Sequence, residues 1–289
     1  MIRRFFAFLW RLLTFPFRLV ARPFRALASA ISQEPEDTPA VEAFSRTLEN
    51  PFLLLEHLEA LRGHLLRLVA ALALTTAVGF AFAARVLDWL ARPIGGIQSL
   101  QAIEVTESVS AFMRVSLLTG FVLAFPYICL ELFLFIAPGL KRRERFLVLT
   151  TIPVAFVLFV AGLSFAYYVM LPVALPFLLN FMGITTVPRP ANYIRFVTGL
   201  LFWIGMSFQF PLIIYAMAAL GMVRARMLVE GWRIAIVIIA VVAAAVTPTV
   251  DPVNMGLVMA PMILLYFFSI GLAAFAERTR TRRIEKESG

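Results

Sequence analysis

The segment at residues 117–140 constrains this chain more than any other. It is almost unbroken hydrocarbon, yet it contains Pro126 and Glu131, and a basic cluster that begins at Lys141 follows it directly. About 20 apolar residues are enough to cross a bilayer as a helix, so the segment is long enough to span. An aspartate at the centre of a span costs about 2.5–3.5 kcal/mol on insertion scales. Because an acidic residue inside a span is costly, Glu131 is a candidate functional residue.

Composition places the whole chain in the membrane class. Hydrophobic residues make up 61% of the 289 residues and charged residues 15%, whereas soluble domains carry about 25% charged residues. The formal net charge is +9. It indicates a membrane surface rather than a nucleic acid as partner, because the basic residues cluster at the ends of apolar segments.

Six apolar segments predict an all-α membrane protein with six transmembrane helices. The runs are continuous and lack the period-2 alternation of barrel strands. The predicted spans lie at about residues 66–84, 112–138, 146–171, 196–220, 234–247 and 253–275. The fifth span is notably short.

The distribution of basic residues predicts that both termini are cytoplasmic. On that topology all but five of the 26 Lys and Arg residues face the cytoplasm; the outer five are Arg85, Arg92, Arg114, Arg189 and Arg195. Residues 86–111 and 172–195 are then two long outer loops. We expect them to form short helices that cap a concave bundle, and plain connectors are the alternative.

The sequence divides into four regions. Residues 1–31 form a basic amphipathic arm, 32–50 a polar linker, 51–276 the membrane domain and 277–289 a charged cytoplasmic tail. In the arm an arginine recurs every seven residues, which predicts a helix lying on the cytoplasmic membrane surface. A cleaved signal peptide is the alternative, but arginines would interrupt the apolar core that such a peptide requires.

Composition and spacing predict no enzyme, no cofactor and no metal site. His57 and His64 lie seven residues apart at the edge of the first span, without the HExxH spacing, and are expected at the surface or at an interface. Asp37, Asp88 and Asp251 all lie outside the predicted spans. An intramembrane pair of catalytic aspartates is therefore not predicted.

Two polar residues inside spans are candidates for function. Glu131 and Gln209 are expected to face a shared polar groove within the bundle, since exposure to lipid would leave them without partners. Pro126, Pro138 and Pro211 are expected to bend the spans around that groove. The alternative is that both polar side chains simply form hydrogen bonds that hold helices together.

Several short motifs occur in a fixed order along the chain. They are HLEALR at 57–62, TE at 106–107, FIAPGL at 135–140 with Pro126 and Glu131 before it and Glu144-Arg145 after it, FAYY at 165–168, GMSFQFP at 205–211, and TP and DP at 247–248 and 251–252. Over about residues 54–276 this pattern resembles TatC, the multispan receptor subunit of the twin-arginine protein translocase.

The resemblance implies a receptor for twin-arginine signal peptides in the bacterial or archaeal cytoplasmic membrane. Such proteins bind the signals of folded cargo at the cytoplasmic face and recruit single-span TatA/TatB-type subunits for export driven by the proton gradient. Membrane lipids are further partners, and self-association stays open. Carboxylates suit fork-shaped guanidinium groups. The candidate signal-binding residues are Glu56, Glu59, Arg62, Glu144 and Arg145, and the candidate partner-docking residues are Thr247 and Asp251.

Three positions depart from the family pattern. Ala60 stands where the family usually has Glu, and Gln209 and Phe267 stand where it often has Glu. Two other functions remain as alternatives. A proton-coupled small-solute transporter with Glu131 as carrier predicts an internal repeat, and the sequence shows no matching halves. A structural membrane anchor would not need polar residues inside its spans.

Overall fold

The computed structural model describes residues 51–140, 142–180, 186–246 and 252–288, and within these ranges every regular element is helical. The predicted arm and linker at residues 1–50 lie outside the described residues, as do Thr247 and Asp251. The α-helices in chain order are α1 Pro51–Ala91, α2 Thr106–Ile136, α3 Arg142–Phe165, α4 Leu171–Leu179, α5 Pro190–Ser207, α6 Phe210–Ala219, α7 Ala225–Glu230, α8 Trp232–Val246 and α9 Pro252–Ser288.

Five stretches of the described chain are long and apolar enough to cross a membrane. They are Leu58–Ile94, Thr106–Ile136, Arg145–Leu179, Pro190–Ala219 and Met255–Thr279. A shorter apolar helix at Trp232–Ala245 coincides with the short fifth span. The positions of the apolar segments thus agree with the sequence, whereas a count of six spans depends on α8 and remains a prediction.

The first predicted outer loop is shorter than expected. Helix α1 continues to Ala91 and α2 begins at Thr106. The loop predicted over residues 86–111 is therefore reduced to residues 92–105. This stretch contains two short 3₁₀ turns, Arg92–Ile94 and Ile97–Ser99. Helix α1 extends beyond the predicted apolar span because its backbone hydrogen bonds continue past the last long run of apolar side chains.

The second predicted outer loop is also mostly helical. Helix α3 passes through a π-helical turn, Ala166–Met170, directly into α4, and α5 begins at Pro190. The prolines that suggest a loop at 172–195 have different settings. Pro172 follows the π-helical turn, Pro176 lies inside α4, Pro188 precedes α5 and Pro190 opens α5. Proline is tolerated at position 190 because the first N–H groups of a helix have no intrahelical partner.

The C-terminal end of α1 is held by two tyrosine hydroxyls. Tyr167 donates to the carbonyl of Trp89, and Tyr193 donates to the carbonyl of Leu90, each at 2.7 Å. The last carbonyls of a helix have no intrahelical donor, so these two bonds satisfy groups that would otherwise be orphaned. The ring of Tyr167 also stacks on that of Trp89, with centroids 3.8 Å apart.

Helix α9 extends into the residues predicted as a charged tail, 277–289, and ends at Ser288. Within this predicted tail, Glu277 still makes a tertiary contact, because its Oε1 accepts a hydrogen bond from the backbone N–H of Ala225 at 2.9 Å. The first turn of α7 is thereby tied to α9.

The chain divides into two compact units, each with its own core. The first unit comprises the described residues through Gly79 together with Thr119–Val154, and the second comprises Phe80–Leu118 and the chain from Ala155 onward. The core of the first unit includes Leu130, Phe133, Leu134 and Ala137. The larger core of the second unit includes Val115, Leu171, Ile194, Leu200 and Ile204.

Candidate functional site

Glu131 is completely buried, and three side chains of the first unit hold its carboxylate. The hydroxyl of Tyr127 donates to Oε1 at 2.6 Å. Nε of Arg67 lies 2.9 Å from Oε1 and 3.1 Å from Oε2, and Nδ1 of His64 lies 2.5 Å from Oε2. Hydrogen bonds to ionised groups are roughly twice as strong as neutral ones. The arrangement therefore offsets the cost of burying the charge.

Helical spacing explains why these four residues meet. His64 and Arg67 are three residues apart on α1, and Tyr127 and Glu131 are four apart on α2, so each pair shares one helix face. The sequence alone does not single out Arg67 and Tyr127 as partners of Glu131. The feature of the sequence that could have indicated them is the i,i+3 and i,i+4 spacing of polar residues within otherwise apolar helices.

His64 is only partly exposed, so of the two settings expected for it, surface or interfacial, the structure contradicts the first alone. Its side chain is 16% exposed, and its ring meets Phe135 edge-on with centroids 5.7 Å apart. The 2.5 Å separation between Nδ1 and Oε2 of Glu131 is that of a hydrogen bond. Nη2 of Arg67 lies 2.8 Å from the same nitrogen, so the imidazole and the guanidinium meet at one face of the carboxylate.

Gln209 occupies the break between α5 and α6. It is buried, and its Nε2 donates to the carbonyl of Ala155 on α3 at 3.1 Å. Pro211 lies in the first turn of α6 and has no N–H to donate to the carbonyl of Ser207, which is why the helix is interrupted here. Gln209 belongs to the second unit and Glu131 to the first. The shared groove expected for them remains a prediction.

The three predicted bending prolines have different settings. Pro126 lies inside α2 without ending it. Pro138 lies in the 3₁₀ turn Ala137–Gly139 that follows α2, and Pro211 lies in the first turn of α6. Two of them therefore mark helix ends, and the bends themselves remain predictions.

The candidate signal-binding carboxylates are carried by two helices. Glu59 and Arg62 are exposed on α1, within two turns of His64. Glu56 also belongs to α1 and Glu144 belongs to α3, but their side chains lie outside the described part of the structure. The exposed setting of Glu59 leaves it accessible to a ligand from solution.

Arg145 is buried, unlike Glu59 and Arg62. Its Nε donates to the carbonyl of Leu140 at 3.0 Å. Cationic side chains often satisfy carbonyls that follow the end of a helix. In this position Arg145 stabilises the turn between α2 and α3.

An ion-paired cluster connects the starts of α2 and α5. Nε of Arg189 donates to Glu107 Oε1 at 2.6 Å, and its Nη2 donates to the same oxygen and to Glu104 Oε1, the latter at 2.9 Å. These hydrogen bonds, chiefly the one with Glu107, raise the pKa of Arg189. Nearby, the N–H of Gln101 donates to the carbonyl of Pro188 at 3.2 Å. The segment before α5 is thereby tied to the segment before α2.

We expect Arg189→Gln to loosen this connection. Loss of the guanidinium leaves the carboxylate of Glu107 buried without its main donor, so the amide of Gln101 should exchange with deuterium several-fold faster. Hydrogen-exchange mass spectrometry of the chain in detergent measures this. Arg195→Gln removes the same charge from an exposed position on α5 and serves as the control. Equal exchange rates in both variants would contradict the prediction.

Together these features define a class of protein: an all-helical, multispan membrane protein with a carboxylate buried against arginine, histidine and tyrosine near one end of a span. Residues 56–261 match the family model described as Sec-independent protein translocase protein (TatC). The chain belongs to the TatC family, whose members are components of the Sec-independent protein translocase.

Relatives and solved structures agree with the family model. The chain is 34% identical over 230 residues to TatC of Carboxydothermus hydrogenoformans, covering 78% of this chain and 95% of the relative. It is 31% identical to TatCd of Bacillus subtilis, covering 79% and 94%. A crystal structure of the twin-arginine translocase receptor TatC superposes with a TM-score of 0.69 at 31% identity, covering 76% of this chain and 99% of that one. The protein acts in Sec-independent protein transport at a membrane.

Proposed function

We propose that this chain binds twin-arginine signal peptides at its cytoplasmic face as the receptor subunit of its translocase. The observation that carries the proposal is the likeness to a solved twin-arginine translocase receptor, which extends over 99% of that receptor at 31% identity. The proposed topology has six spans in the bacterial or archaeal cytoplasmic membrane, with both termini in the cytoplasm. The basic residues at the ends of the apolar segments support this orientation.

The proposed contacts to the arginine pair are made by Glu59 and Glu144, with Glu56, Arg62 and Arg145 beside them. Glu59 is exposed on α1, three residues before the exposed Arg62. An exposed carboxylate attracts a guanidinium and orients it through paired hydrogen bonds. Glu131 is a poorer receptor for the signal, because Arg67 already supplies it with a guanidinium.

The remaining parts of the proposal concern partners and energy. Single-span TatA/TatB-type subunits would dock at the turn that contains Thr247 and Asp251, and the proton gradient would drive export. Glu131 and Gln209 would line the polar path inside the bundle. Both side chains are buried and hydrogen-bonded, and this protection from lipid supports the proposed role.

The test is binding of a fluorescent signal peptide to the purified full-length chain in nanodiscs. A twin-arginine peptide should bind more tightly than its twin-lysine counterpart, because lysine lacks the fork geometry. Glu59→Gln combined with Glu144→Gln should weaken binding of the twin-arginine peptide by at least about tenfold, since each lost charge-assisted hydrogen bond contributes about 1.5–3 kcal/mol.

Glu230→Gln provides a matched control. Glu230 is an exposed carboxylate that pairs with Arg226 four residues earlier and belongs to none of the proposed contacts. Binding should be unchanged in this variant. Equal affinity for the two peptides would reject the receptor function, whereas unchanged binding in the double variant alone would reject the assignment of Glu59 and Glu144.

A further inference from the structure

An apolar groove opens on the second unit where α7 turns into α8 and both face α9. It is an open groove of about 420 Å³, lined by Val229, Trp232, Phe267 and Ile270. Trp232 and Phe267 are 42% and 50% exposed, so large apolar surfaces face outward here. The volume falls within the range of about 300–1,000 Å³ that is typical of small-ligand sites.

Tertiary hydrogen bonds hold the walls of the groove in place. The hydroxyl of Tyr266 on α9 donates to the carbonyl of Leu228 at 2.5 Å, and the N–H of Ala225 donates to Glu277 at 2.9 Å. Both bonds join α7 to α9, one on either side of the groove along α9. The cavity is consequently part of the folded unit and does not depend on the position of a single side chain.

One wall of the groove has a cation beside it. The guanidinium of Arg233 lies over the Trp232 ring, 5.7 Å from its centroid. Arg226 is neutralised by Glu230 at 2.7 Å. Within the described part of the chain no carboxylate lies in ion-pair range of Arg233, so its charge faces outward beside an apolar cavity.

The dimensions favour an acyl chain over a protein helix. An α-helix about 10 Å wide with a 5.4 Å pitch would fill this volume in roughly one turn, which is too little to dock a partner along its length. An acyl chain is much thinner and can enter such a slot end-on. A guanidinium beside the groove suits the phosphate of a lipid headgroup.

From this juxtaposition we infer that the groove is a binding site for an anionic phospholipid, with an acyl chain against Trp232 and Phe267 and the headgroup phosphate on Arg233. Basic pockets between transmembrane helices commonly bind anionic headgroups in this way. The site would retain one lipid beside the short helix α8, independently of signal-peptide binding.

Quenching of Trp232 fluorescence by lipids with brominated acyl chains tests the site. The full-length chain is reconstituted in phosphatidylcholine with an equal small fraction of either brominated phosphatidylglycerol or brominated phosphatidylcholine. The signal of Trp232 is the difference between the chain and its Trp232→Phe variant. Brominated phosphatidylglycerol should bind about fivefold more tightly than brominated phosphatidylcholine, the preference expected for one arginine near an anionic headgroup.

Two variants separate a specific site from general surface charge. Arg233→Gln should reduce the affinity ratio of brominated phosphatidylglycerol to brominated phosphatidylcholine to about one. Arg278→Gln removes an exposed charge two turns beyond Ile270 on α9, and this variant should keep the original ratio. Val229→Phe, which fills the groove, should reduce quenching by both lipids. Equal quenching by the two lipids in the unaltered chain, an equal loss in Arg278→Gln, or no effect of Val229→Phe would each overturn the inference, as would a protein segment found in the groove.

Discussion

Glu131→Ala is expected to lower the free energy of unfolding by about 3–5 kcal/mol, the usual cost of removing one partner from a buried ion pair. The substitution leaves Arg67, His64 and Tyr127 facing a cavity where the carboxylate was. Arg67 would then retain a positive charge in a side chain that is 22% exposed. Unfolding in mixed micelles of increasing sodium dodecyl sulfate content measures the change.

The double variant Glu131→Ala with Arg67→Met distinguishes an ion pair from simple packing. Removal of both charges should recover much of the stability lost in Glu131→Ala, because no uncompensated charge remains buried. Arg62→Gln, at an exposed position on the same helix, should change stability by less than about 0.5 kcal/mol. A loss below about 1 kcal/mol in Glu131→Ala would contradict the assigned role of the cluster.

Gly120→Val is expected to destabilise the first unit by about 3 kcal/mol, at the upper end of typical overpacking costs. A Cβ atom at Gly120 would meet Oγ1 of Thr76 most closely, and it would also lie 2.6 Å from Cα and 2.7 Å from the backbone nitrogen of the same residue. Small residues allow helix backbones to approach this closely in membranes. Because the clash includes backbone atoms, which cannot rotate away as a side chain can, α1 and α2 would have to separate locally to accommodate any side chain.

Gly199→Ala offers the matched control for this prediction. Gly199 is also helical, but a Cβ atom there meets nothing within 4 Å. Alanine should therefore be neutral or stabilise α5 by up to about 1 kcal/mol through its higher helix propensity. Thr76→Ala should not rescue Gly120→Val, since it leaves the backbone of Thr76 in place. Rescue by that change would show that the side chain, and not the close backbone approach, limits position 120.

Much of the functional assignment could be predicted from local sequence. The motif order led to the TatC family, and the comparisons confirm it. The apolar runs predicted the positions of the spans, because hydropathy is a property of contiguous residues. The same signal misplaced the helix ends: α1 reaches Ala91 and α5 begins at Pro190, since backbone hydrogen bonds extend helices beyond their apolar stretches.

The sequence by itself determined that this is a helical membrane protein of the TatC family and that Glu131 is exceptional within its span. Tertiary structure decided what Glu131 binds. Its partners His64 and Arg67 are more than sixty residues away on another helix. Likewise, packing alone decided that Gln209 donates to the carbonyl of Ala155 and that Gly120 lies against the backbone of Thr76. Hydropathy and helical period specify which face of a helix is polar, but the partner of that face depends on how separate helices pack.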